Sequence, residues 1–154
     1  TKINKQKIDA VSLNIENKTI SYNEKIKSNI KTISGNEEIS RAFLIDRLIN
    51  ELDYLPENIE LEKTYDVKIG RDKKAPRIDV IVKDIKKNPF FFIEVKAPQK
   101  YEQDKINIEG QLFTLAQEEE KKFHTKVKYL AYYTTQMIND IIVDKVIIID
   151  FEKY

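Results

Sequence analysis

The stretch PRIDVIVKDIKKNPFFFIEVKAP, Pro76 to Pro98, contains two strongly apolar runs separated by a polar break. Runs of this length and composition are typical of buried β-strands. Each run nevertheless carries charge where a buried strand normally has none: Asp79 lies in the first, and Glu94 and Lys96 lie in the second. Three ionisable groups inside two apolar strands need a physical reason.

An antiparallel hairpin across Asp84–Pro89 brings these charges together. If Lys83 lies opposite Phe90, Asp79 faces Glu94. The other face is then apolar throughout and consists of the pairs Val82–Phe91, Val80–Ile93 and Ile78–Val95. A slip of one residue would separate the two acids, whereas slips of two would keep the faces. The pattern therefore predicts which face each residue occupies more firmly than it predicts the register.

Two carboxylates about 5 Å apart in a half-buried sheet repel each other, and each pays a desolvation cost. Lys96 lies two residues beyond Glu94 on the same face and neutralises one of them. The remaining charge is satisfied by an ion-pair network at the sheet end, by solvent, or by a bound cation. Carboxylates, a backbone carbonyl and water suit Mg²⁺, whereas a chain with no Cys and one His is a poor zinc site.

Composition indicates one ordinary globular domain. The chain has 154 residues, of which 41% are hydrophobic and 34% charged, and its net charge of +1 gives no argument for a nucleic-acid partner. The absence of cysteine excludes disulfides and fits a cytoplasmic location. No apolar run reaches the ~20 residues of a membrane span. Because the first residue is Thr1, we expect a processed chain or a fragment of a longer one.

The N-terminal segment, residues 1–35, is the least informative. Alternating apolar residues between Ala10 and Tyr22 fit a strand or a hairpin, so the segment is either an arm or extra strands of the same domain. Lysines outnumber acids here, and we favour a solvated, loosely packed arm. The main domain is expected to cover residues 36–154.

Helices and strands alternate in the main domain. A helix is predicted to start near Asn36, with Glu37 and Glu38 in its first turn, where the helix dipole favours acids. Its apolar stripe comprises Ile39, Ala42, Phe43, Ile45, Leu48, Ile49 and Leu52. Further elements are predicted at 59–69 (strand), 101–123 (helix, with Ile106 inward and the EEEKK run of 118–122 facing solvent), 127–134 and 143–151 (strands). Helix, three strands, helix and two strands predict an α/β fold with a mixed sheet flanked by helices.

The charged residues also resemble a known motif. An acid on one strand followed by Glu-x-Lys on the next, here Asp79 and Glu94-Val95-Lys96, resembles the PD-(D/E)XK nuclease superfamily. Glu38 and Arg41 form an E-x-x-R element on the preceding helix, and Arg41 is expected either to pair with Glu38 or to lie on the surface. With Gln111 on the following helix, the set resembles the N-terminal nuclease domain of type I restriction enzyme R subunits, over about residues 36–134.

Two positions depart from that pattern. Leu115 stands where the family's Q-x-x-x-Y element has tyrosine, which puts the role of Gln111 in question. Ile78, instead of proline, precedes Asp79, a difference that is common in the superfamily.

The resemblance implies a restriction-endonuclease-like core and a site for Mg²⁺-dependent cleavage of DNA. Asp79, Glu94 and the Val95 carbonyl would hold the metal, and Glu38 would reach it directly or through water. Lys96 would orient the attacking water or stabilise charge on the phosphate. Gln111 would position the Lys96 region or the DNA backbone.

The resemblance also implies partners: double-stranded DNA, and modification and specificity subunits in the full system. The sequence has no P-loop motif, so an ATP-dependent motor would lie outside these residues. Two alternatives remain, namely a stand-alone restriction or repair nuclease of the same fold, and an inactive nuclease-like module that binds nucleic acid or protein.

Other candidates have simpler explanations. Six lysines in loops around the predicted site could bind phosphates, although charged turns are usually only solvated: Lys73, Lys74, Lys86, Lys87, Lys100 and Lys105. His124 is expected to be an exposed residue at a helix end. Tyr129, Tyr132 and Tyr133 are expected to pack in the fold instead of stacking on bases.

Overall fold

The computed structural model describes residues 7–27, 30–32, 35–65 and 76–153. Its strands and helices follow the predicted order, preceded by three short strands. They are β1 (Val11–Asn14), β2 (Thr19–Tyr22), β3 (Ile30–Thr32), α1 (Asn36–Asn50), β4 (Ile59–Thr64), β5 (Arg77–Lys83), β6 (Pro89–Val95), α2 (Tyr101–Phe123), β7 (Tyr129–Ile138) and β8 (Ile141–Asp150). Single 3-10 turns lie at Pro56–Asn58 and Phe151–Lys153.

The main sheet has five strands in the order β4-β5-β6-β7-β8. All neighbours are antiparallel except β6 and β7, which are parallel. A parallel pair needs a crossover connection, and α2 supplies it. The predicted α/β fold with a mixed sheet and flanking helices is therefore confirmed. Of the helices in the described part of the chain, none combines the length and apolar composition that a membrane crossing requires.

The β5–β6 hairpin has the predicted register in its centre. Val80 pairs with Ile93, Ile81 with Phe92, and Val82 with Phe91. Lys83 was expected opposite Phe90 but pairs with Pro89, because the register shifts between Val82 and Lys83. A bulge beside the turn absorbs the extra residue and leaves the rest of the hairpin in place.

Helix α1 covers one face of the sheet, but its buried stripe differs from the prediction. Ile39, Phe43 and Leu52 are exposed, whereas Ser40 and Arg41 are buried. Both polar side chains face the sheet because they have partners there, and the Ser40 and Thr135 hydroxyls lie 2.8 Å apart. Apolar periodicity alone could not predict this rotation of the helix.

Helix α2 covers the other face and has the predicted bounds. Ile106, expected to point inward, is 86% exposed. Glu119, expected in solvent with the rest of the EEEKK run, is buried because it accepts hydrogen bonds from Tyr65 Oη (2.8 Å) and Lys63 Nζ (3.3 Å) of the β4 region. These three residues are called the Glu119 cluster below.

The N-terminal segment is more ordered than expected. Strands β1, β2 and β3 form an antiparallel sheet, in line with the predicted strands. The preference for a loosely packed arm was wrong, because Ala10, Ile20, Tyr22 and Ile26 are buried in the core beneath α1. Ile20 and Tyr22 lie two residues apart on β2, so both side chains point to the same face of the strand and into the core.

Strands β7 and β8 form a longer hairpin than predicted. The connecting residues Asn139 and Asp140 both have left-handed φ angles, 49° and 62°, as a two-residue type I′ turn requires. For the predicted strand at 59–69, β4 is described as far as Thr64, and Val67 and Ile69 lie outside the described residues.

Candidate active site

Three neighbouring strands place carboxylates in one row. On β4 and β5, Leu61 pairs with Val80 and Lys63 with Ile78, so the same register puts Glu62 opposite Asp79. The register of β5 and β6 puts Glu94 on the other side of Asp79. We call Glu62, Asp79 and Glu94, together with Glu38 from α1, the acidic cluster. The sequence predicted the Asp79–Glu94 pair but missed Glu62.

The sheet is irregular at this row. Glu62 has a left-handed φ of 55°, which costs a non-glycine residue roughly 1–2 kcal/mol. Ile78 lies in the core beneath α2, whereas Val80 lies in the core beneath α1. The prediction that Ile78 and Val80 share a face was therefore wrong. The alternation breaks at Asp79, whose carboxylate contacts Arg41 of α1.

Asp79 is buried and held from two sides. The backbone N–H of Val95 donates to its Oδ2 atom at 2.8 Å, and Arg41 Nη2 lies 3.4 Å from its Oδ1 atom. The first bond fixes the carboxylate across the β5–β6 hairpin. The second is long for a hydrogen bond to a charged group, so Oδ1 is only weakly held.

Glu94 is buried and under-satisfied. Its Oε1 atom lies 3.2 Å from Lys96 Nζ, confirming that Glu94 and Lys96 lie together. Its Oε2 atom is buried without a hydrogen-bond partner in the described part of the chain. Burial, reinforced by the negative charge of Asp79, raises the pKa of Glu94 to about 8. Burial alone would lower the pKa of Lys96, but Glu94 and neighbouring acids raise it, so the ammonium stays charged.

Arg41 lies at the centre of the acidic cluster. It pairs with Glu38 at 3.1 Å, as the E-x-x-R spacing predicted, and also contacts Glu62 at 3.3 Å and Asp79 at 3.4 Å. The alternative of a surface position was wrong, because Arg41 is only 1% exposed. One guanidinium therefore serves three carboxylates.

Two residues of the N-terminal sheet complete the cluster. Tyr22 Oη donates to Glu38 Oε1 at 2.7 Å, and burial together with this bond raises the pKa of Tyr22, so it keeps its proton. Lys31 pairs with Glu62. Burial tends to raise the pKa of Glu62, but the bond to Lys31 and the charge of Arg41 bring it below its ordinary value. No sequence motif marked either residue.

Glu37 is a further residue whose role the sequence did not reveal. It was interpreted only as a dipole partner in the first turn of α1. Burial raises its pKa, followed by the charge of Asp79, while Lys96 and Arg41 lower it. Glu37 therefore faces the same charges as Glu94, whereas Glu38, the predicted metal-reaching residue, is held by Tyr22 and Arg41.

Other predicted site residues lie elsewhere. Gln111 is half-buried on α2, and none of the described hydrogen bonds joins it to the acidic cluster. Leu115, at the position of the family's tyrosine, is fully buried in the core beneath α2. This apolar environment explains why leucine is accepted there.

The predicted lysines divide into two groups. Lys86 and Lys87 lie at the β5–β6 turn, the end of the hairpin opposite Asp79 and Glu94, so the prediction that they flank the site was wrong. Lys100 does line the site, and Lys105 lies within the first turns of α2. Lys73 and Lys74 lie outside the described residues.

The predictions for His124 and the tyrosines are confirmed. His124 caps the C-terminus of α2 in a left-handed conformation and is exposed. Tyr132 stacks on Tyr101, with ring centroids 4.1 Å apart, and Tyr129 stacks on Phe91. Tyr133 is buried in the core beneath α1.

An open polar cleft of about 460 Å³ lies over the acidic cluster. It is lined by charged and small residues from β3, α1, β4, β5 and the start of α2: Lys31, Thr32, Gly35, Asn36, Glu37, Glu38, Arg41, Glu62, Arg77, Ala97 and Lys100. A larger groove of about 660 Å³ between α1 and the β7–β8 hairpin is mainly apolar. Glu38 and Glu62 of the acidic cluster line the polar cleft together with Arg41, which contacts Asp79, so we place the candidate site beneath this cleft.

A divalent cation fits the residues present. In the described ranges no three acidic or histidine side chains converge as a complete ligand set. Two carboxylates with a backbone carbonyl and water are, however, a common arrangement for Mg²⁺, which keeps several of its waters. The unpartnered Oε2 of Glu94 and the weakly held Oδ1 of Asp79 are the oxygens available to it.

Comparison with known proteins agrees with the resemblance seen in the sequence. The family described as the type I restriction enzyme R protein N terminus matches residues 36–131. The match runs from α1 into β7 and includes Asp79, Glu94 and Lys96, but it leaves out the N-terminal sheet. No curated protein matches the chain. Because the family match covers well over half of its length, the chain belongs to the type I restriction enzyme R protein N-terminal family.

Proposed function

We propose that this chain is a PD-(D/E)XK-type nuclease domain that hydrolyses DNA phosphodiester bonds with the help of Mg²⁺. The observation that supports it best is the buried, unpartnered Oε2 of Glu94 beside the buried carboxylate of Asp79. A buried charge without a partner costs several kcal/mol. Lys96 reaches only Oε1 of Glu94, and Arg41 lies 3.4 Å from Asp79 Oδ1, so a bound cation would supply the partner that Glu94 Oε2 lacks.

Asp79, Glu94 and the Val95 carbonyl are the residues that would hold the metal. When bound, Mg²⁺ lowers the pKa of a coordinated water and stabilises negative charge on the phosphate. The bond from Val95 N–H to Asp79 fixes the distance between the two strands that supply these ligands. The proposed ligand set thus lies on two adjacent interior strands of the main sheet.

Lys96 is the proposed catalytic cation. Its pairing with Glu94 holds the ammonium beside the ligand pair, and its side chain is 20% exposed, so it can reach a phosphate oxygen or an attacking water. Because neighbouring acids raise its pKa, it donates hydrogen bonds and does not act as a base near neutral pH. Its role is to orient the water and stabilise charge on the phosphate.

The cleft above the cluster is the proposed path of the DNA backbone. Arg77 and Lys100 line it beside Lys31. Cations at such an edge bind phosphates without reading sequence. Double-stranded DNA is therefore the proposed substrate. None of the described hydrogen bonds joins Gln111 to the acidic cluster, so its proposed role is to contact the DNA backbone.

The family gives the context of a restriction subunit. We propose that the nuclease domain works with modification and specificity subunits, and that any ATP-dependent motor lies in another part of the R protein. We propose a cytoplasmic location together with this context. Recognition of the DNA sequence would then belong to another subunit.

Cleavage of supercoiled DNA by the complete R protein tests the proposal. Wild-type protein should cut with Mg²⁺ and stop with EDTA, and Lys96→Met should lose activity while keeping its affinity for Mn²⁺. Lys86→Met, a lysine at the far end of the same hairpin, is the matched control and should cut normally. Metal-independent cleavage, or full activity of Lys96→Met, would contradict the proposal.

One observation favours a second candidate, a nucleic-acid-binding module without cleavage. Arg41 already contacts Asp79 and could serve as an internal counter-ion in place of a metal. Calorimetry separates the two functions. A binding module would bind DNA but show no Mn²⁺ binding that depends on Asp79 and Glu94.

A further inference from the structure

The sheet that precedes the family match contributes directly to the acidic cluster. Tyr22 on β2 donates to Glu38, and Lys31 on β3 pairs with Glu62. Both residues lie before residue 36, where the match begins. The remainder of the cluster lies inside the match, so these two contacts come from a part of the chain that the family match does not cover.

Glu38 and Glu62 share one partner, Arg41, with Asp79. A guanidinium has five donors in a fixed fork and cannot serve three carboxylates equally well. Arg41 Nε, moreover, has no hydrogen-bond partner among the described residues. The orientation of Arg41 therefore depends on how firmly each carboxylate is held by other donors.

A cation at Asp79 must compete with Arg41 for the Oδ1 atom. If Arg41 is displaced from Asp79, its buried charge still needs partners, because an unpaired buried charge is strongly destabilising. Glu38 and Glu62 are the two carboxylates that remain. Each can receive Arg41 only while its side chain stays in position, and the second donors, Tyr22 for Glu38 and Lys31 for Glu62, hold it there.

We propose that Tyr22 and Lys31 are positioning residues of the metal site: they fix Glu38 and Glu62 as a cradle that retains Arg41 when a divalent cation takes Asp79. The N-terminal sheet is thus part of the active site, although it lies outside the family match. This inference rests on the proposed nuclease function. It extends that function by assigning two residues that set the cation affinity.

Titration calorimetry of the full chain with Mn²⁺ tests the inference. Tyr22→Phe should weaken Mn²⁺ binding by about tenfold, as loss of a group that orients a metal ligand typically does. Lys31→Gln should also weaken Mn²⁺ binding, by a smaller factor because Lys31 is less buried than Tyr22. Tyr65→Phe is the matched control, because it removes a tyrosine–glutamate hydrogen bond of 2.8 Å in the Glu119 cluster.

Urea unfolding of the same variants separates positioning from stability. Tyr22→Phe and Tyr65→Phe should lose similar stability, while only Tyr22→Phe should lose Mn²⁺ affinity. Unchanged affinity in both Tyr22→Phe and Lys31→Gln, with binding still abolished by Asp79→Asn, would overturn the inference and leave the nuclease proposal standing. Absence of Asp79-dependent binding in the wild-type chain would overturn both.

Discussion

The two faces of the main sheet carry two buried charge clusters that look alike at first. In each, a tyrosine donates to a helix glutamate: Tyr22 to Glu38 at 2.7 Å and Tyr65 to Glu119 at 2.8 Å. The Glu119 cluster has one carboxylate with two donors and is satisfied.

The acidic cluster is not satisfied in the same way. Glu38, Glu62 and Asp79 share Arg41. Glu94 pairs with Lys96 through Oε1 only, and its Oε2 has no hydrogen-bond partner in the described part of the chain. The comparison teaches that burial of charge does not by itself mark a functional site. The feature that marks a candidate site is a buried carboxyl whose pKa is raised by burial and by a neighbouring acid, as at Glu94.

The largest expected effect is a loss of DNA cleavage that occurs on substitution in the acidic cluster and not in the Glu119 cluster. Asp79→Asn or Glu94→Gln should reduce DNA cleavage by about 10²–10³-fold or more, since each removes a charge that holds the cation. The amide in Asp79→Asn still offers an acceptor to Val95 N–H, so folding is preserved. Glu119→Gln, the same chemical change on the other face, should cut at the wild-type rate in the same assay.

Equal losses of DNA cleavage in Asp79→Asn and Glu119→Gln would contradict the assignment of a functional role to the acidic cluster alone. Circular dichroism of each variant confirms that the comparison is made on folded protein.

The next effect concerns stability. Arg41→Met should destabilise the chain by about 3–5 kcal/mol, because it leaves several carboxylates buried without their shared cation. Lys63→Met should cost only about 1 kcal/mol, since Glu119 keeps its bond from Tyr65. Urea unfolding monitored by fluorescence measures both, and a similar cost for the two would contradict the account.

A pH dependence should follow from Glu94. Its folded pKa of about 8 lies above its ordinary value of 4.5, so between these values the folded state binds more protons than the unfolded state. Stability of the metal-free chain should therefore fall as pH rises from about 5 to 8, by up to about 1.4 kcal/mol per pH unit. The groups facing Glu94 are Asp79, Glu37 and Lys96.

Glu94→Gln should flatten this profile, because the amide does not titrate. Urea unfolding at several pH values in EDTA provides the measurement. A wild-type stability that rises with pH across the same window would show that Glu94 is already ionised without metal.

The smallest effect concerns DNA binding at the two ends of the hairpin. Arg77 and Lys100 line the cleft. Arg77→Ala and Lys100→Ala should each lower the slope of log affinity against log salt concentration by about 1, the value of one phosphate contact. Lys86→Ala, at the opposite end, should leave it unchanged. Fluorescence anisotropy at several salt concentrations distinguishes them, and an equal effect of Lys86→Ala would place the DNA elsewhere.

Much of the site follows from the sequence because it depends on local pattern. Two apolar runs with a short break predict the hairpin and the approach of Asp79 and Glu94, and the central pairs follow the predicted register. The boundaries of α2 follow from its length and periodicity. These features depend on residues that are close in the chain, whereas the break in alternation at Asp79 has no local signal.

The missing parts depend on tertiary packing. Glu62 enters the row only because β4 pairs with β5, and its left-handed backbone has no sequence signal. Ser40 and Arg41 are buried because they contact Thr135 and Asp79 of the sheet. These contacts turn a polar side of α1 toward the sheet, which apolar periodicity alone would not predict. Tyr22 and Lys31 are distant in sequence from every residue that they hold.

The central claim is that a divalent cation binds between Asp79 and Glu94. Crystals of the chain soaked in Mn²⁺ test it most directly through anomalous scattering. The account predicts one strong peak bonded to oxygens of both carboxylates, which disappears in Asp79→Asn and Glu94→Gln. A peak that survives both substitutions, or no peak at this site in protein that cleaves DNA, would contradict it.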